Sequence, residues 1–487
     1  MNVGVADTNS KLTVMLAGND LPDVITPINS SELDAQVLSS GQIMELDDLV
    51  EQYAPNIAKN CAKMIEYNRD MRSNGTGKLY AINMHSGQDS SSPDGVATSW
   101  LVRWDLYKQL GCPELKSLDD MLKLLTDMKG LEPENADGRE TYGLGYFLGE
   151  SWGHVMIDRA YIFDTGMCNS AGCEAVYTDI HDERVLPRLT DPDGTYWKSL
   201  QFLNKAYLAN VLDPESATMK LMTVTEKADQ QRYHAFPQNF FAEANSQLLS
   251  QPGNKGYVPL IIHAEPRGAW TNTVMSIGSQ AVAYLSNKTK YAKNILQMLD
   301  YLSTEEGQIL LRFGIEGVDW EWNEKGEGVM IGEALEAYKN KTSIIKESGI
   351  GKYTWSMMPY HPSRLENGTY SNFAMNTVID QPQAYQEFCD FFKIQNIGAY
   401  GDLVGGLPYD YTFMTDTTFD PNSDVGIKNA NINSYITTRA AKAIFCESEA
   451  EFQTTKDEMI QEILDLGADD VVAEYTKLYE AKIAKYK

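Results

Sequence analysis

Positive charge is what this sequence has least of. Its 487 residues hold 41 Lys and Arg against 68 Asp and Glu, a net charge of −27. Such a surface repels phosphate backbones and anionic lipid heads, so neither nucleic acid nor an acidic membrane is expected as a partner. Cysteine is sparse as well. There are six, at positions 61, 112, 168, 173, 389 and 446, with no Cys-x-x-Cys pair and no Cys/His zinc spacing. Only Cys168 and Cys173 are close, and a small disulfide loop and two unrelated thiols both remain open. No apolar run reaches the roughly 18–20 residues of a membrane span. The opening residues Met1 to Thr8 have neither a basic n-region nor an apolar h-region. Internal repeats and low-complexity stretches are missing too.

Signatures of catalysis are also lacking. The sequence has no Gly-x-Ser-x-Gly elbow and no His-Glu-x-x-His. The six histidines (85, 154, 181, 234, 263, 361) are scattered without ligand spacing. Gly75-Thr76-Gly77-Lys78 lacks the spacing of a phosphate loop and precedes a strand rather than a helix. Paired carboxylates for glycosidic chemistry need a separation in space that sequence does not supply. The absence of catalytic spacing points toward binding.

What is present is the patterning of a folded α/β protein. Hydrophobic residues make up 43% and charged residues 22%, as in globular domains. Residues 11–18 read as a helix end closed by Gly18, and Val24-Ile25-Thr26 as a short buried strand. Helices follow over 31–39 and from Asp47, and strands over 78–82 and 98–103. A helix over 104–111 stops at Gly111. The next starts after Ser117, an N-cap with Asp120 at the third helical position. Further strands are expected at 142–148 and 257–263. A helix pair over 291–313 breaks at Ser303-Thr304-Glu305-Glu306. Residues 314–450 look irregular, and 449–486 helical. This alternation predicts a parallel or mixed sheet flanked by helices.

Aromatic residues are plentiful: 27 Tyr, 15 Phe and 8 Trp. Flat rings with a polar edge suit carbohydrate or peptide clefts. Trp152 stands in a glycine-flanked loop after an expected strand, Tyr146-Phe147-Leu148-Gly149-Glu150-Ser151-Trp152-Gly153. In open α/β sheets ligands sit beyond the carboxyl ends of strands, which makes Trp152 a candidate contact. Trp270, in Glu265-Pro266-Arg267-Gly268-Ala269-Trp270, is a second. Trp100 and Trp104 flank a strand end and read as core or hinge packing.

Four segments in order carry a family resemblance. They are Asn19-Asp20-Leu21-Pro22-Asp23-Val24-Ile25; Val102-Arg103-Trp104-Asp105-Leu106-Tyr107-Lys108-Gln109-Leu110-Gly111 with Ser117-Leu118-Asp119-Asp120; Tyr207-Leu208-Ala209-Asn210-Val211-Leu212-Asp213-Pro214-Glu215; and Leu302-Ser303-Thr304-Glu305-Glu306-Gly307-Gln308 with Phe313-Gly314-Ile315-Glu316-Gly317. Together they resemble the extracellular solute-binding proteins of family 1. These are substrate-binding lipoproteins of bacterial ABC importers, and the likeness is to the long carbohydrate-associated branch.

The resemblance implies a two-lobed periplasmic-binding-protein-like α/β fold with a hinge. One lobe would comprise residues 1–102 with 259–313 and the other 103–258. Residues 314–487 would form a mostly helical elaboration packed on both. The ligand would be an oligosaccharide held between the lobes without catalysis. A non-sugar solute such as a peptide is the alternative, and an acidic extracellular glycosidase a further one. The implied contacts are Asn29 and Ser30, the loop Glu150-Ser151-Trp152, and Asn239 with Phe240. Implied partners are permease subunits, for a monomer at the outer face of the membrane.

No cofactor is expected. The branch often carries a calcium loop, and Pro133–Gly138 occupies its place. With Gly138 as sixth residue, however, the first and twelfth are Pro133 and Leu144, which cannot coordinate. The family also begins with a lipobox and a first strand and helix. Here only Asn2-Val3-Gly4-Val5, read as the second strand, precedes residue 11, so the start is expected to lie inside a longer sequence.

Overall fold

A computed structural model describes the chain except residues 1–4, 29–30, 88–99, 171, 238–241, 250, 252–253, 263–269, 279–280, 325–327, 341–348, 351–353, 362–381, 395–396 and 411. The side chains of some others, Trp152 and Trp270 among them, also lie outside the description. The described strands are β1 (Val24–Ile28), β2 (Ala81–Asn83), β3 (Trp100–Arg103), β4 (Met167–Ser170), β5 (Cys173–Asp179), β6 (Val185–Pro187), β7 (Ala235–Pro237), β8 (Tyr257–Leu260), β9 (Trp270–Val274), β10 (Val282–Leu285), β11 (Trp320–Trp322), β12 (Gly328–Met330) and β13 (Leu407–Asp410).

Among the described residues there are three three-stranded sheets; one is β4-β5-β6, and the other two organise the chain. The first has the order β1-β10-β2, with Val24 opposite Leu285 and Tyr284 opposite Ala81. Its side chains alternate between two cores, as the pleat requires. Ala81, Val282 and Tyr284 join Leu12, Ile25, Leu33 and Val37 on one face. Ile82, Ala283 and Leu285 point into the main core on the other. The helices Val5–Ala17 and Ser31–Ser39 supply Leu12, Leu33 and Val37. The second sheet has the order β7-β3-β8, with all four β3 residues buried. The chain passes from the first sheet to the second between β2 and β3, and returns after β8.

The elements around this frame follow from local chemistry. Ser117 caps the helix Leu118–Leu131, its hydroxyl accepting from the Asp120 amide at 3.1 Å. Met121, Leu124, Leu125 and Met128 form the buried stripe of that helix, spaced three and four apart. The pair over 291–313 is observed as Ala292–Tyr301 and Glu305–Phe313. Thr304 accepts from the Gly307 amide at 3.2 Å to start the second helix. Gly307 cannot carry a Cβ, which would meet the Tyr301 carbonyl. Trp100 and Trp104 are core residues, 2% and 1% exposed.

Four expectations are corrected. Among the described residues the sheets are small and antiparallel; of the strand pairs only β9 with β13 is parallel, besides isolated bridges. Val5 opens a helix rather than ending a strand; Asn2 to Gly4 lie outside the described residues. Residues 142–148 form no strand. They make isolated bridges, Tyr142 to Tyr233 and Leu144 to Leu212, because a Cβ at Gly143 would strike Val211 and one at Gly145 the Tyr233 ring. The irregular-looking region contains a helix of 21 residues, Asp424–Ile444. Its asparagines and Gly426 disguise it, since they are poor helix formers. Burial of Ile432, Ile436, Ala440, Ala443 and Ile444 overrides that preference. Asn429 also donates to the Gly172 carbonyl at 2.9 Å, and Asn433 accepts from the Glu174 amide at 3.1 Å.

The C-terminal third ties to the first sheet and to β9. Arg72 bridges Asp34 at 2.9 Å and Asp416 at 2.8 Å, and the Tyr284 hydroxyl donates to the same Asp34 at 2.6 Å. Strand β13 lies along β9, and Tyr475 of the helix Ala468–Tyr486 donates to the Met414 carbonyl at 2.8 Å. The capping assignment at Ser117 is open to a direct check. Ser117→Ala is expected to cost about 1 kcal/mol in equilibrium denaturation and to speed hydrogen exchange at the Asp120 amide.

Candidate ligand-binding site

The second sheet presents one edge to the crossing between the sheets. Trp100, the first residue of β3, lies opposite both Pro237, the last of β7, and Leu260, the last of β8. Antiparallel pairing therefore brings the start of β3 and the ends of β7 and β8 to one edge. Carboxyl ends of strands are where α/β folds hold ligands. Asn239 and Phe240 follow β7, outside the described residues. Asn29 and Ser30 follow β1 and lie outside them too. Trp270 opens β9, where its backbone pairs with Leu407.

Trp152 sits in the 3₁₀ helix Ser151–Met156. The turn leading into it is pressed against a neighbouring loop. The amides of Leu148 and Gly149 donate to the carbonyls of Ser216 and Met219 at 3.1 and 2.9 Å. A Cβ on Gly149 would collide with the Thr218 carbonyl, and one on Gly153 with the Phe147 carbonyl. The glycines flanking Trp152 thus let backbone pack on backbone. Half-buried Glu150 accepts from the Leu221 amide at 3.3 Å. Leu221 starts the helix Leu221–Asp229, so the carboxylate meets unpaired N–H groups and the positive end of the dipole. Glu150 is therefore held in place by the fold.

The far side of the turn rests on a buried charge cluster. Arg188 is fully buried and grips Asp158 with two nitrogens, at 2.9 and 3.0 Å. It also pairs with the Glu174 carboxylate, and donates to the Glu174 carbonyl at 3.2 Å. Its guanidinium lies 4.5 Å from the Tyr196 ring centroid and 5.6 Å from that of Tyr177. The Tyr177 hydroxyl donates to Asp158. Burial, with the Asp158 charge beside it, pushes that hydroxyl well above its usual pKa, so it stays a donor. His154, two residues after Trp152, is 3% exposed. Burial, then the Arg188 charge, lowers it to about 3, so it is neutral at pH 7.

No family model matches this sequence. Among curated proteins, 361 residues align at 22% identity with lipoprotein LipO of Bacillus subtilis (strain 168), 72% of this chain and 65% of that protein. A stretch of 136 residues is 28% identical to the fructooligosaccharide ABC transporter substrate-binding protein FusA of Streptococcus pneumoniae serotype 4, 27% of this chain and 25% of that one. The aligned part thus spans under two thirds of either relative.

Solved structures match along nearly the whole chain. An EF-hand mutant of S. pneumoniae FusA in complex with fructo-nystose superposes with a TM-score of 0.62 at 17% identity, covering 98% of this chain and 91% of that one. The alginate-binding protein AlgQ2 gives 0.60 at 16%, covering 97% and 88%. The N-glycan transport protein NgtS of S. pneumoniae with Man5GlcNAc gives 0.55 at 16%, covering 100% and 91%. The chain has the two-lobed fold of ABC-transporter solute-binding proteins.

Within this solute-binding fold, Pro133–Gly138 is a tight turn closed by a Glu134–Glu140 bridge. The Asn135 side-chain oxygen accepts from the Asp137 and Arg139 amides at 3.0 and 2.9 Å. That oxygen, a candidate ligand atom, is committed to the backbone. Among the described residues no three His, Cys, Asp or Glu side chains converge as a metal shell. Cys168 and Cys173 are both free and buried, at different rungs of the β4–β5 ladder. Cys173 stands opposite Ser170, and Cys168 opposite Thr178. Burial pushes the Cys173 thiol up to about 12, which keeps it unreactive at neutral pH.

Sequence reasoning missed Asp158, Glu174 and Arg188. They lie 14 to 30 residues apart on different elements, and no local pattern links them. Two outcomes are expected. Arg188→Met strands two buried carboxylates and should destabilise the protein by about 3–5 kcal/mol in chemical denaturation. The second concerns pH. Burial lowers His154 and His234 to about 3 and His361 to about 2. Their folded values lie below the unfolded value of about 6.5. The unfolded chain therefore takes up protons first, and stability falls as pH drops from about 6.5 toward 3. Melting temperature measured across that range should decline. Replacing His154 by Gln should flatten the decline.

Proposed function

We propose that this protein is the substrate-binding component of an ABC importer that captures an oligosaccharide between its two lobes, with no chemistry of its own. The observation that carries this is whole-length superposition, at TM-scores of 0.55 to 0.62, on FusA bound to fructo-nystose, AlgQ2 and NgtS bound to Man5GlcNAc. FusA is an ABC-transporter substrate-binding protein, NgtS an N-glycan transport solute-binding protein and AlgQ2 an alginate-binding protein. In this reading one lobe is residues 1–102 with 259–313, the other is 103–258, and residues 314–487 are an elaboration on both. The protein works as a monomer at the outer face of the membrane, held there as a lipoprotein, and hands its ligand to permease subunits. The net charge of −27 disfavours a polyanion and favours a neutral glycan.

The ligand contacts in this reading are Asn29, Ser30, Glu150, Trp152, Asn239, Phe240 and Trp270. Support for Trp152 comes from its surroundings. The glycine-flanked turn is packed on the loop at 216–221 on one side and on the Arg188 cluster on the other. A ring on a preset turn loses little entropy on binding. Stacking a sugar face on such a ring contributes on the order of 1–2 kcal/mol through buried apolar area. Trp152→Ala should therefore weaken glycan binding about 5- to 30-fold in titration calorimetry. The titrant is whichever of kestose and Man5GlcNAc raises the melting temperature of the unaltered protein. Full affinity in the variant would remove Trp152 from the site. If neither glycan shifts the unaltered protein, the assignment to that ligand class fails.

A further inference from the structure

A second polar group lies at the same sheet edge, and nothing in the sequence drew attention to it. Asp164 ends the helix Arg159–Asp164, which follows the Trp152 turn by two residues. It is 2% exposed. One carboxyl oxygen accepts from the Ile262 amide at 2.9 Å. Ile262 is two residues past Leu260, so this contact places Asp164 where the chain leaves β8. Beside it the Tyr400 hydroxyl accepts from the Ile261 amide at 3.4 Å.

Asp164 has fewer partners than the other described buried acids; Asp300, also without a cation, still accepts from Asn56 at 2.8 Å and the Ile57 amide at 2.9 Å. Asp158 and Glu174 share Arg188, Asp105 has Arg103 at 2.7 Å, and Asp213 has Lys227 at 2.8 Å. Among the described residues Asp164 meets no cation, and its one bond is to Ile262. Its second oxygen has no hydrogen-bond partner among the described residues. Burial raises its pKa well above the ordinary carboxyl value, with only the Ile262 amide opposing. A buried carboxyl with a single hydrogen bond costs stability. Groups of that kind persist where function needs them.

We propose that Asp164 is a ligand-contact residue, its second oxygen bonding a hydroxyl of the oligosaccharide at the β7-β3-β8 edge. This rests on the reading of the protein as a glycan-binding protein. Ligand hydroxyls suit the group because they can donate to a carboxylate or accept from a protonated carboxyl. In this reading Asp164 adds a polar contact to the ring contact proposed for Trp152, as ligand sites combine few polar groups with apolar ones.

The test uses Asp164→Asn and Asp164→Leu in the full chain, with two readouts. The first is the melting temperature of the ligand-free protein. A carboxyl kept for ligand is dispensable to the empty fold as long as an acceptor still meets the Ile262 amide, so Asp164→Asn should melt at or above the temperature of the unaltered protein, while Asp164→Leu, which strands that buried amide, should melt lower. A fall in Asp164→Asn would make Asp164 a structural clamp on Ile262 and overturn the proposal. The second is affinity for kestose and Man5GlcNAc by titration calorimetry. Asp164→Leu should lose at least tenfold, and Asp164→Asn, which keeps a donor and an acceptor, should lose less. Unchanged affinity in Asp164→Leu overturns the proposal, while Trp152→Ala separately judges the glycan reading. If neither glycan binds the unaltered protein, the glycan reading fails and the contact falls with it. The ligand-free melting temperature then shows whether Asp164 serves the fold.

Discussion

The ion cluster around Arg188 is the constraint on which the geometry of this site depends. A guanidinium with no exposure cannot be left without partners, and the two carboxylates it satisfies come from different elements. Asp158 follows the Trp152 turn, and Glu174 lies on β5, which also holds the helix Asp424–Ile444 through Asn433. Tyr196, from the helix Thr195–Leu208, covers the guanidinium face. One buried cation thus fixes the turn, a hairpin and two helices relative to one another. Replacing it with an apolar side chain leaves charges without water or partner. The arrangement is therefore all-or-none rather than adjustable.

A similar logic recurs where β3 ends. Arg103 is fully buried and meets both oxygens of Asp105, at 2.9 and 2.7 Å, and those of Glu132, at 2.9 and 3.1 Å. Its amide donates to the His234 carbonyl at 2.9 Å, so β3 is tied to β7 as well. Bidentate pairing fixes direction as well as distance. The strand that enters from the first sheet is clamped at its far end, and its near end, Trp100, lies at the edge where the ligand contacts are proposed.

How much of this was legible in the sequence depended on how local the cause was. Ser117 and Thr304 as caps, and the break between the two helices after 291, follow from residues within one turn of each other. Burial of Trp100 and Trp104 follows from a short apolar strand. The helix Asp424–Ile444 was hidden because its asparagines pay for themselves only by bonding Gly172 and Glu174, more than 250 residues away. Residues 142–148 looked like a strand, yet their glycines serve to let Val211 and Tyr233 approach. The turn around Trp152 was recognisable from its glycines, whereas Arg188 beneath it and Asp164 beyond it were not. Buried charge has no periodicity to announce it; only the fold shows which acids meet which base.

The way the sheets are closed has a consequence for how the chain is made. Strand β1 is completed by β10 some 250 residues later, and β9 finds its parallel partner, β13, more than 130 residues downstream. Contacts this distant in sequence form slowly, because long loops must close first. During synthesis, about 280 residues must emerge before the first sheet can exist, and over 400 before β9 is covered. Until then β1, β2 and β9 lack their partners. The β7-β3-β8 sheet needs nothing beyond residue 260 to pair, so the middle of the chain can close while its first strand still waits for β10.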